Sequence, residues 1–184
     1  MGRNSLNGIS YPRIIAAVRS ARWAVTPATL QAISDALSAR LTGRMASDMG
    51  DGGEDDGGDC EPFEMLAPGV ASVELHGIIG RNLSSMEMLC GGCDLARVED
   101  NLTAALSNSG VSVVVLDIDS PGGTVCGVAE FSEKIGQLSA QSGKPVVAYA
   151  SGLCCSAAYW IACGCAQICA SPSSDVGSVG VYMA

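Results

Sequence analysis

Two short motifs, each following an apolar run, contain residue types that suit acyl-transfer chemistry. The first, Leu116–Gly123, has the sequence Leu-Asp-Ile-Asp-Ser-Pro-Gly-Gly, and the second, Ser151–Trp160, has the sequence Ser-Gly-Leu-Cys-Cys-Ser-Ala-Ala-Tyr-Trp. Ser156 supplies a hydroxyl that can act as a nucleophile. Gly122 and Gly123 supply backbone N–H groups with no side chain in the way, which suits a developing oxyanion. The two motifs together predict a nucleophile and an oxyanion site that complement each other.

Both motifs have the form of a strand that ends in a glycine-containing turn and enters a helix. Val111–Ile118 is predicted to be a buried parallel strand because it is rich in β-branched residues. Val125–Leu138 is the predicted crossover helix, and Pro145–Ala150 is the next parallel strand. Ser156 is therefore expected in the first turn of a helix, where the helix dipole favours a negatively charged intermediate.

The chain before the first motif predicts further strands and a helix. Val70–Ile79 alternates well enough to form one or two strands around His76, the only histidine of the chain. We expect a mobile loop over Arg81–Gly92 and a helix over Asp94–Leu106. A turn is predicted over Ser139–Lys144. The residues of the predicted helix that should face inward are Leu95, Val98, Leu102 and Leu106.

The two motifs, followed by Val-Gly-Ser-Val-Gly-Val at Val176–Val181, resemble the signal peptide peptidase A (SppA)-like serine peptidases. Within this family the chain is most similar to the phage minor capsid protein C or prohead protease branch. The resemblance runs from Gly69 to the end and, more loosely, over Tyr11–Gly43. It implies an α/β, Clp protease/crotonase-like fold with parallel core strands and crossover helices, plus a helical N-terminal appendage.

The resemblance also implies peptide hydrolysis by a serine–lysine dyad, in which burial lowers the pKa of the lysine so that its neutral amine accepts the serine proton. Ser156 corresponds to the nucleophile, and the oxyanion and substrate-binding residues are Gly122, Gly123 and Ala157. The lysines of this chain, Lys134 and Lys144, both precede the serine, and neither is expected to be the base. We expect the base beyond Ala184, in a longer peptidase of which this chain is a fragment. No cofactor or metal is expected.

The implied substrates are proteins or peptides, including phage capsid or scaffold proteins, and homo-oligomers are expected because relatives assemble into rings. The implied location is the host cytoplasm or the prohead. Two alternatives stay open. The chain is a non-catalytic structural or assembly protein that keeps the fold, or, with less support, a crotonase-type acyl-CoA enzyme with a similar oxyanion site.

Charge is distributed unevenly along the chain, whose formal net charge is −9. Residues 1–46 hold six Arg and one Asp, and this segment is predicted to be helical over Tyr11–Val18 and Ala28–Leu41. Residues 47–62 are an acidic, glycine-rich linker with seven acids and no base. Residues 63–184, the predicted peptidase domain, hold eleven acids and four bases, which argues against a nucleic-acid partner.

Several other features have simpler interpretations. Pro145–Pro172 carries no formal charge, but glycine and polar residues divide it into strand, turn, helix and strand, so no membrane span is expected.

The cysteines are expected to be reduced. Arginines near the start argue against a signal peptide, so a reducing compartment is expected, in which the cysteines are thiols. Cys90 and Cys93 have the spacing of half a zinc site or of a redox pair, but no second CxxC and no nearby His completes a metal site, so a plain loop is expected. The cysteines expected to be small buried hydrophobes are Cys154, Cys155, Cys163, Cys165 and Cys169.

Three polar side chains near the motifs also have a simple interpretation. His76 is expected to be structural or exposed rather than a general base. Asp117 and Asp119 lie two residues apart in a strand and so share a face. A strand-end capping or turn role is expected for them, because the resemblance assigns no proton transfer to either.

Overall fold

The computed structural model describes residues 22–25 and 61–183. These residues form two sheets and the helices packed on them. The strands are β1 (Arg22–Val25), β2 (Glu64–Ala67), β3 (Val70–His76), β4 (Ile78–Gly80), β5 (Gly92–Asp94), β6 (Val113–Ser120), β7 (Gly122–Thr124), β8 (Val146–Cys155), β9 (Gln167–Ala170), β10 (Asp175–Gly177) and β11 (Tyr182–Met183). The helices are α1 (Ser85–Leu89), α2 (Leu95–Ser107), α3 (Val128–Ser142) and α4 (Ala157–Ala162).

The larger sheet has the strand order β10-β8-β6-β3-β2, with β9 also paired to β8. Its central strands β3, β6 and β8 are mutually parallel, and only β2 is antiparallel to its neighbour. Helix α2 connects β3 to β6 through the intervening segment, and α3 connects β6 to β8. The predicted α/β class with parallel core strands and crossover helices is therefore confirmed.

The smaller sheet has the order β11-β1-β7-β4-β5 and carries the two glycines of the first motif on β7. Strand β1 pairs antiparallel with β7, so part of residues 1–46 belongs to the sheet that holds these glycines. The helices predicted over Tyr11–Val18 and Ala28–Leu41, and the linker at 47–62 up to residue 60, lie outside the described residues.

The core lies between one face of the larger sheet and the helices. Along β6 the residues that point to this face, Val114, Leu116 and Ile118, are completely buried. The prediction for the helix before it is confirmed, because α2 buries Leu95, Val98, Leu102 and Leu106. Burying each such side chain stabilises the fold by about 1.5–3 kcal/mol.

Several local predictions are wrong. Gly122 and Gly123 lie in strand β7, where a turn into a helix was predicted. The segment Arg81–Gly92 is not a plain loop, since it contains α1 and ends where β5 begins. Helix α1 has a capping box, in which the Ser84 hydroxyl accepts the Glu87 N–H and the Glu87 carboxylate accepts the Ser84 N–H. Five residues are too few to show helical periodicity, so only this Ser-x-x-Glu pattern marked the helix.

The predicted turn over Ser139–Lys144 is also mostly wrong, because α3 continues to Ser142. The helix ends at Gly143, whose φ of +68° is the left-handed conformation that glycine adopts at helix C-termini. The stretch from Pro145 to Pro172 contains β8, α4 and β9, so the predicted order of strand, helix and strand is confirmed, but β8 continues to Cys155 where a turn was predicted after Ala150. Within residues 61–183, no helix has the length and apolar character needed to cross a membrane.

Lys144 ties the end of α2 to the start of β8. Its Nζ donates to the carbonyl oxygens of Leu106 and Asn108, both at 2.7 Å. The Lys144→Met variant loses two charge-assisted hydrogen bonds at a helix C-terminus, and we expect its free energy of unfolding to fall by about 1–2 kcal/mol in urea denaturation.

Lys134 provides the matched control for this prediction. It forms only an exposed ion pair with Glu99, at 3.7 Å. We expect Lys134→Met to change the free energy of unfolding by less than about 0.5 kcal/mol. Equal effects of the two substitutions would contradict a capping role for Lys144.

Candidate active site

Ser156 lies between the end of β8 and the start of α4, as the sequence predicted. Its backbone has φ 56° and ψ −112°, a conformation that L-residues rarely adopt. A serine on a sharp strand-to-helix turn is the arrangement that projects a nucleophile in several hydrolases. Backbone strain of this kind costs about 1–3 kcal/mol and is concentrated at functional sites.

The third motif, Val176–Val181, holds Ser156 in place. The Ser156 N–H donates to the carbonyl oxygen of Gly177 at 2.7 Å, and the Ser156 hydroxyl donates to that of Gly180 at 3.2 Å. The serine is only 6% exposed. The Ser156 hydroxyl is therefore nearly buried and engaged in this hydrogen bond to Gly180.

The two glycines of the first motif are needed for different reasons. Gly122 has a φ of +102°, which disfavours any other residue. At Gly123 a side chain would collide with the carbonyl oxygen of Ile79, because β4 and β7 pair closely at this point. The space beside Gly123 is thus occupied by the protein backbone and not by a ligand, which corrects the reason that the sequence suggested for this glycine.

Ser120, which the sequence analysis did not single out, organises the first motif. Its hydroxyl donates to the Gly77 carbonyl oxygen at 2.6 Å and accepts the Gly122 N–H at 3.2 Å. The side chain is completely buried. Its position directly before Pro-Gly-Gly was the available signal, since serine hydroxyls often bond to the backbone two residues on.

The structure brings the two motifs to one region of the molecule. Strands β6 and β8 are parallel neighbours, and Ser120 is opposite Cys154, two residues before Ser156. Helix α4 packs against β7, which carries Gly122 and Gly123. The carboxyl ends of parallel strands are where α/β proteins commonly bind ligands. Ala157 begins α4, and the first N–H groups of a helix have no partner within it.

His76, Asp117 and Asp119 have other partners. His76 Nε2 lies 3.3 Å from Asp117 Oδ2, and both side chains are partly exposed. The Asp119 carboxylate accepts the N–H of Leu153 at 2.8 Å. Asp117 therefore pairs with His76 and does not have the capping or turn role that was expected, whereas Asp119 accepts a backbone N–H near the end of β6, in agreement with that expectation.

The two lysines are engaged away from Ser156. Lys134 lies beside Glu99, and Lys144 bonds to the end of α2. These contacts agree with the expectation that neither lysine is the base.

The cysteines near Ser156 differ more in solvent exposure than was expected. Cys154 and Cys155 are buried beside Ser156, as expected. Cys165 and Cys169 are only partly buried, and Cys163, directly after the end of α4, is exposed. Burial raises the pKa of the Cys154 thiol to about 11 and that of Cys165 to about 12. Cys93 is buried in β5. Across residues 22–25 and 61–183, no group of three or more His, Cys, Asp or Glu side chains is placed to hold a metal ion.

Fold and site together define an α/β protein with a strained serine between a parallel strand and a helix, beside a two-glycine strand. Residues 139–184, which include Ser156, match the family model of peptidase family S49. The resemblance inferred from the motifs is thereby confirmed over the residues that include Ser156.

Similarity to curated proteins agrees with this resemblance. The chain is 34% identical to the head-tail preconnector protein GP5 of Enterobacteria phage P21, over 62% of this chain and 23% of the relative. It is 24% identical to the capsid assembly protease C of Escherichia phage lambda, over 95% of this chain and 39% of the relative. It is 38% identical to Protease 4 of Salmonella typhi, over 39% of this chain and 12% of the relative. The chain thus spans well under half the length of these relatives.

A solved structure of a probable enoyl-CoA hydratase from Mycobacterium thermoresistibile is also similar. It has a TM-score of 0.40 and 20% sequence identity, over 61% of this chain and 49% of that chain.

The strain at Ser156 has a measurable consequence for stability. Glycine adopts a positive φ without a steric penalty, whereas alanine does not. We expect Ser156→Gly to be more stable than Ser156→Ala by about 1 kcal/mol in urea denaturation. Ser120 is a strand residue without positive φ. At that position we expect Ser120→Ala to be more stable than Ser120→Gly by about 0.5–1 kcal/mol. The same order at both positions would contradict strain at Ser156.

Thiol reactivity should follow burial. Burial raises the pKa of both Cys93 and Cys165 to about 12, so almost no reactive thiolate forms there at neutral pH. At pH 8 we expect iodoacetamide to modify the exposed Cys126 well before Cys93 or Cys165, as followed by peptide mass spectrometry. In urea the three rates should become similar. Equal rates in the folded protein would contradict the burial of these thiols.

Proposed function

We propose that this chain carries the nucleophile and oxyanion site of a serine endopeptidase of the SppA-like type. The observation that carries the proposal is the strained Ser156, which lies at the carboxyl end of parallel strand β8, with α4 packed against the two-glycine strand β7. A strained serine beside unpartnered helix N–H groups suits nucleophilic attack on a carbonyl.

In the proposed reaction, the Ser156 hydroxyl leaves the Gly180 carbonyl and attacks the scissile carbonyl of the substrate. The negative charge that develops on the carbonyl oxygen is stabilised by the N–H groups of Gly122, Gly123 and Ala157. The Gly122 N–H now binds the neutral Ser120 hydroxyl at 3.2 Å. An oxyanion is a stronger acceptor than a hydroxyl and can replace it.

The proton of Ser156 needs a base, and the family resemblance makes this base a lysine whose pKa is lowered by burial. Lys134 and Lys144 are engaged elsewhere. The proposal therefore assigns the base to a lysine outside the present sequence. That lysine would take the serine proton and later return it to the leaving amine.

A groove beside the loop after Gly123 suits an extended peptide. It has a volume of about 620 Å³. The residues that line it are Gly80, Arg81, Leu83, Thr124, Val125, Cys126, Gly127, Ala129 and Glu130. The lining is mostly apolar, with one cation, Arg81, and one anion, Glu130, and it includes Thr124, the residue after Gly123, so the groove can hold a substrate side chain. We propose that the substrate lies along this groove as an added strand.

The proposed substrates are capsid or scaffold proteins of a phage, because the similar protein from phage lambda is a capsid assembly protease. A peptidase with such substrates acts in the host cytoplasm or in the prohead. The acidic balance of residues 63–184 disfavours a nucleic-acid partner. We further propose a homo-oligomer, on the family resemblance alone.

A non-catalytic assembly protein is the second candidate function. Two observations favour it: Ser156 is only 6% exposed, and its hydroxyl is engaged with Gly180. An assembly protein would keep this hydroxyl in its structural hydrogen bond and would not present it to a substrate.

A fluorophosphonate probe separates the two candidates. For a peptidase, we expect the probe to attach to Ser156 in the protein that includes this chain, as located by peptide mass spectrometry. Ser156→Ala should abolish both labelling and cleavage of a capsid precursor, while the melting temperature stays within a few degrees. Ser107→Ala, at an exposed residue at the end of α2, should leave both unchanged. Cleavage retained by Ser156→Ala would overturn the proposed peptidase.

A further inference from the structure

A bulge distorts β8 just before the candidate nucleophile. Where these parallel strands pair, β6 advances by two residues, from Ile118 to Ser120, while β8 advances by four, from Ala150 to Cys154. The three intervening residues of β8 therefore face the single Asp119. Bulges bend a strand and are common beside active sites, where they change the direction of a side chain.

The Asp119 carboxylate holds this bulge closed. Its Oδ1 accepts the N–H of Leu153 at 2.8 Å. A side chain at Gly152 would occupy the position of the same carboxylate, which is exposed and would have to turn away from the bulge. The Ser151 hydroxyl adds a longer hydrogen bond, of 3.3 Å, to the carbonyl oxygen of Ile118.

Beyond the bulge, β8 leads directly to the strained serine. Leu153 and Cys155 pair with β10, and the Ser156 N–H then donates to Gly177 on that strand. The bulge therefore sets the point at which β8 ends and Ser156 turns into α4. Displacing Leu153 would displace a serine only three residues further along an extended chain.

Asp119 is also connected to the part of the fold that holds Gly122 and Gly123. Its backbone carbonyl oxygen accepts the Gly77 N–H at 3.0 Å. The next residue, Ser120, bonds to Gly77 and to the Gly122 N–H. The dipeptide Asp119–Ser120 thus connects the strand of the nucleophile with the strand of the proposed oxyanion site.

We propose that Asp119 is a positioning residue for Ser156: its carboxylate fixes the bulge at Gly152–Leu153 and thereby places the nucleophile relative to Gly122–Gly123. This inference rests on the proposed peptidase function and extends it to a residue that does not contact the substrate. Asp119 acts as a hydrogen-bond acceptor and not as a base, so an asparagine, which keeps one acceptor oxygen, should replace it.

The first test compares Asp119→Ala with Asp119→Asn in the active protein. Misplacing a nucleophile by about 1 Å costs about 100-fold in rate. We expect Asp119→Ala to lower kcat by about that factor while KM changes less than about twofold, and Asp119→Asn to recover kcat to within about fivefold of wild type. Asp100→Ala, on the exposed side of α2, is the matched control and should have no effect on either constant.

The second test uses the close contact between Gly152 and the carboxylate. Gly152→Ala should lower kcat strongly in the wild type, because the new methyl group collides with Asp119. In the Asp119→Ala background the carboxylate is gone, and the same substitution should have little further effect. We expect this double-mutant cycle to be strongly non-additive. Additive effects would overturn the proposed coupling.

Amide hydrogen exchange at Leu153 separates failure of this inference from failure of the peptidase assignment. Loss of the carboxylate should speed exchange of the Leu153 N–H at least about tenfold, whether or not the protein is active.

The possible outcomes are distinguishable. If wild type neither cleaves nor binds the fluorophosphonate, the peptidase function is overturned, and the positioning role with it. If Asp119→Ala exchanges faster at Leu153 but keeps its kcat, only the positioning role is overturned. Should Asp119→Ala fail to fold, Asp119→Asn and Gly152→Ala still decide the outcome, since wild-type kcat in Gly152→Ala would overturn the role.

Discussion

The parallel pairing of β6 with β8 is the interaction on which the site depends. Both motifs follow these strands, so the pairing brings Ser120 and Ser156 to the same edge of the larger sheet. The core stabilises this arrangement, since Leu116 and Ile118 of β6 and Ala148 and Ala150 of β8 are completely buried under the helices. Because a slip by one residue would turn these side chains to the other face, burial fixes the register and with it the place of the serine.

A second constraint joins the two sheets. Strand β6 belongs to the larger sheet and β7 to the smaller one, with only Pro121 between them. The connection is rigid because the buried Ser120 hydroxyl links Gly77 to Gly122, and because β4 approaches so close to Gly123 that no side chain fits. Packing and backbone conformation therefore explain why glycine occupies positions 122 and 123, without reference to a substrate.

Most elements of the fold were predictable because their residues alternate or recur with a clear period. The inward residues of α2, the parallel strand of the first motif and the strand–helix–strand order of the apolar stretch near Ser156 were identified correctly, whereas β7 was missed and β8 is longer than predicted. The errors fall where local signals are weak. Helix α1 is too short to show periodicity, and the exposure of Cys163 depends on the end of α4, which composition does not reveal.

The sequence by itself determined which residues suit nucleophilic chemistry, the order of strands and helices around the two motifs and the resemblance to S49 peptidases, because residue type and spacing carry this information directly. Only the tertiary structure decided what those residues contact. It placed the strain on Ser156, engaged the Ser156 hydroxyl with Gly180, made Ser120 the link between the sheets and set Asp119 against Leu153. Each of these contacts joins residues on different strands or loops, and such pairings arise only when the whole sheet forms, so no local pattern could have encoded them.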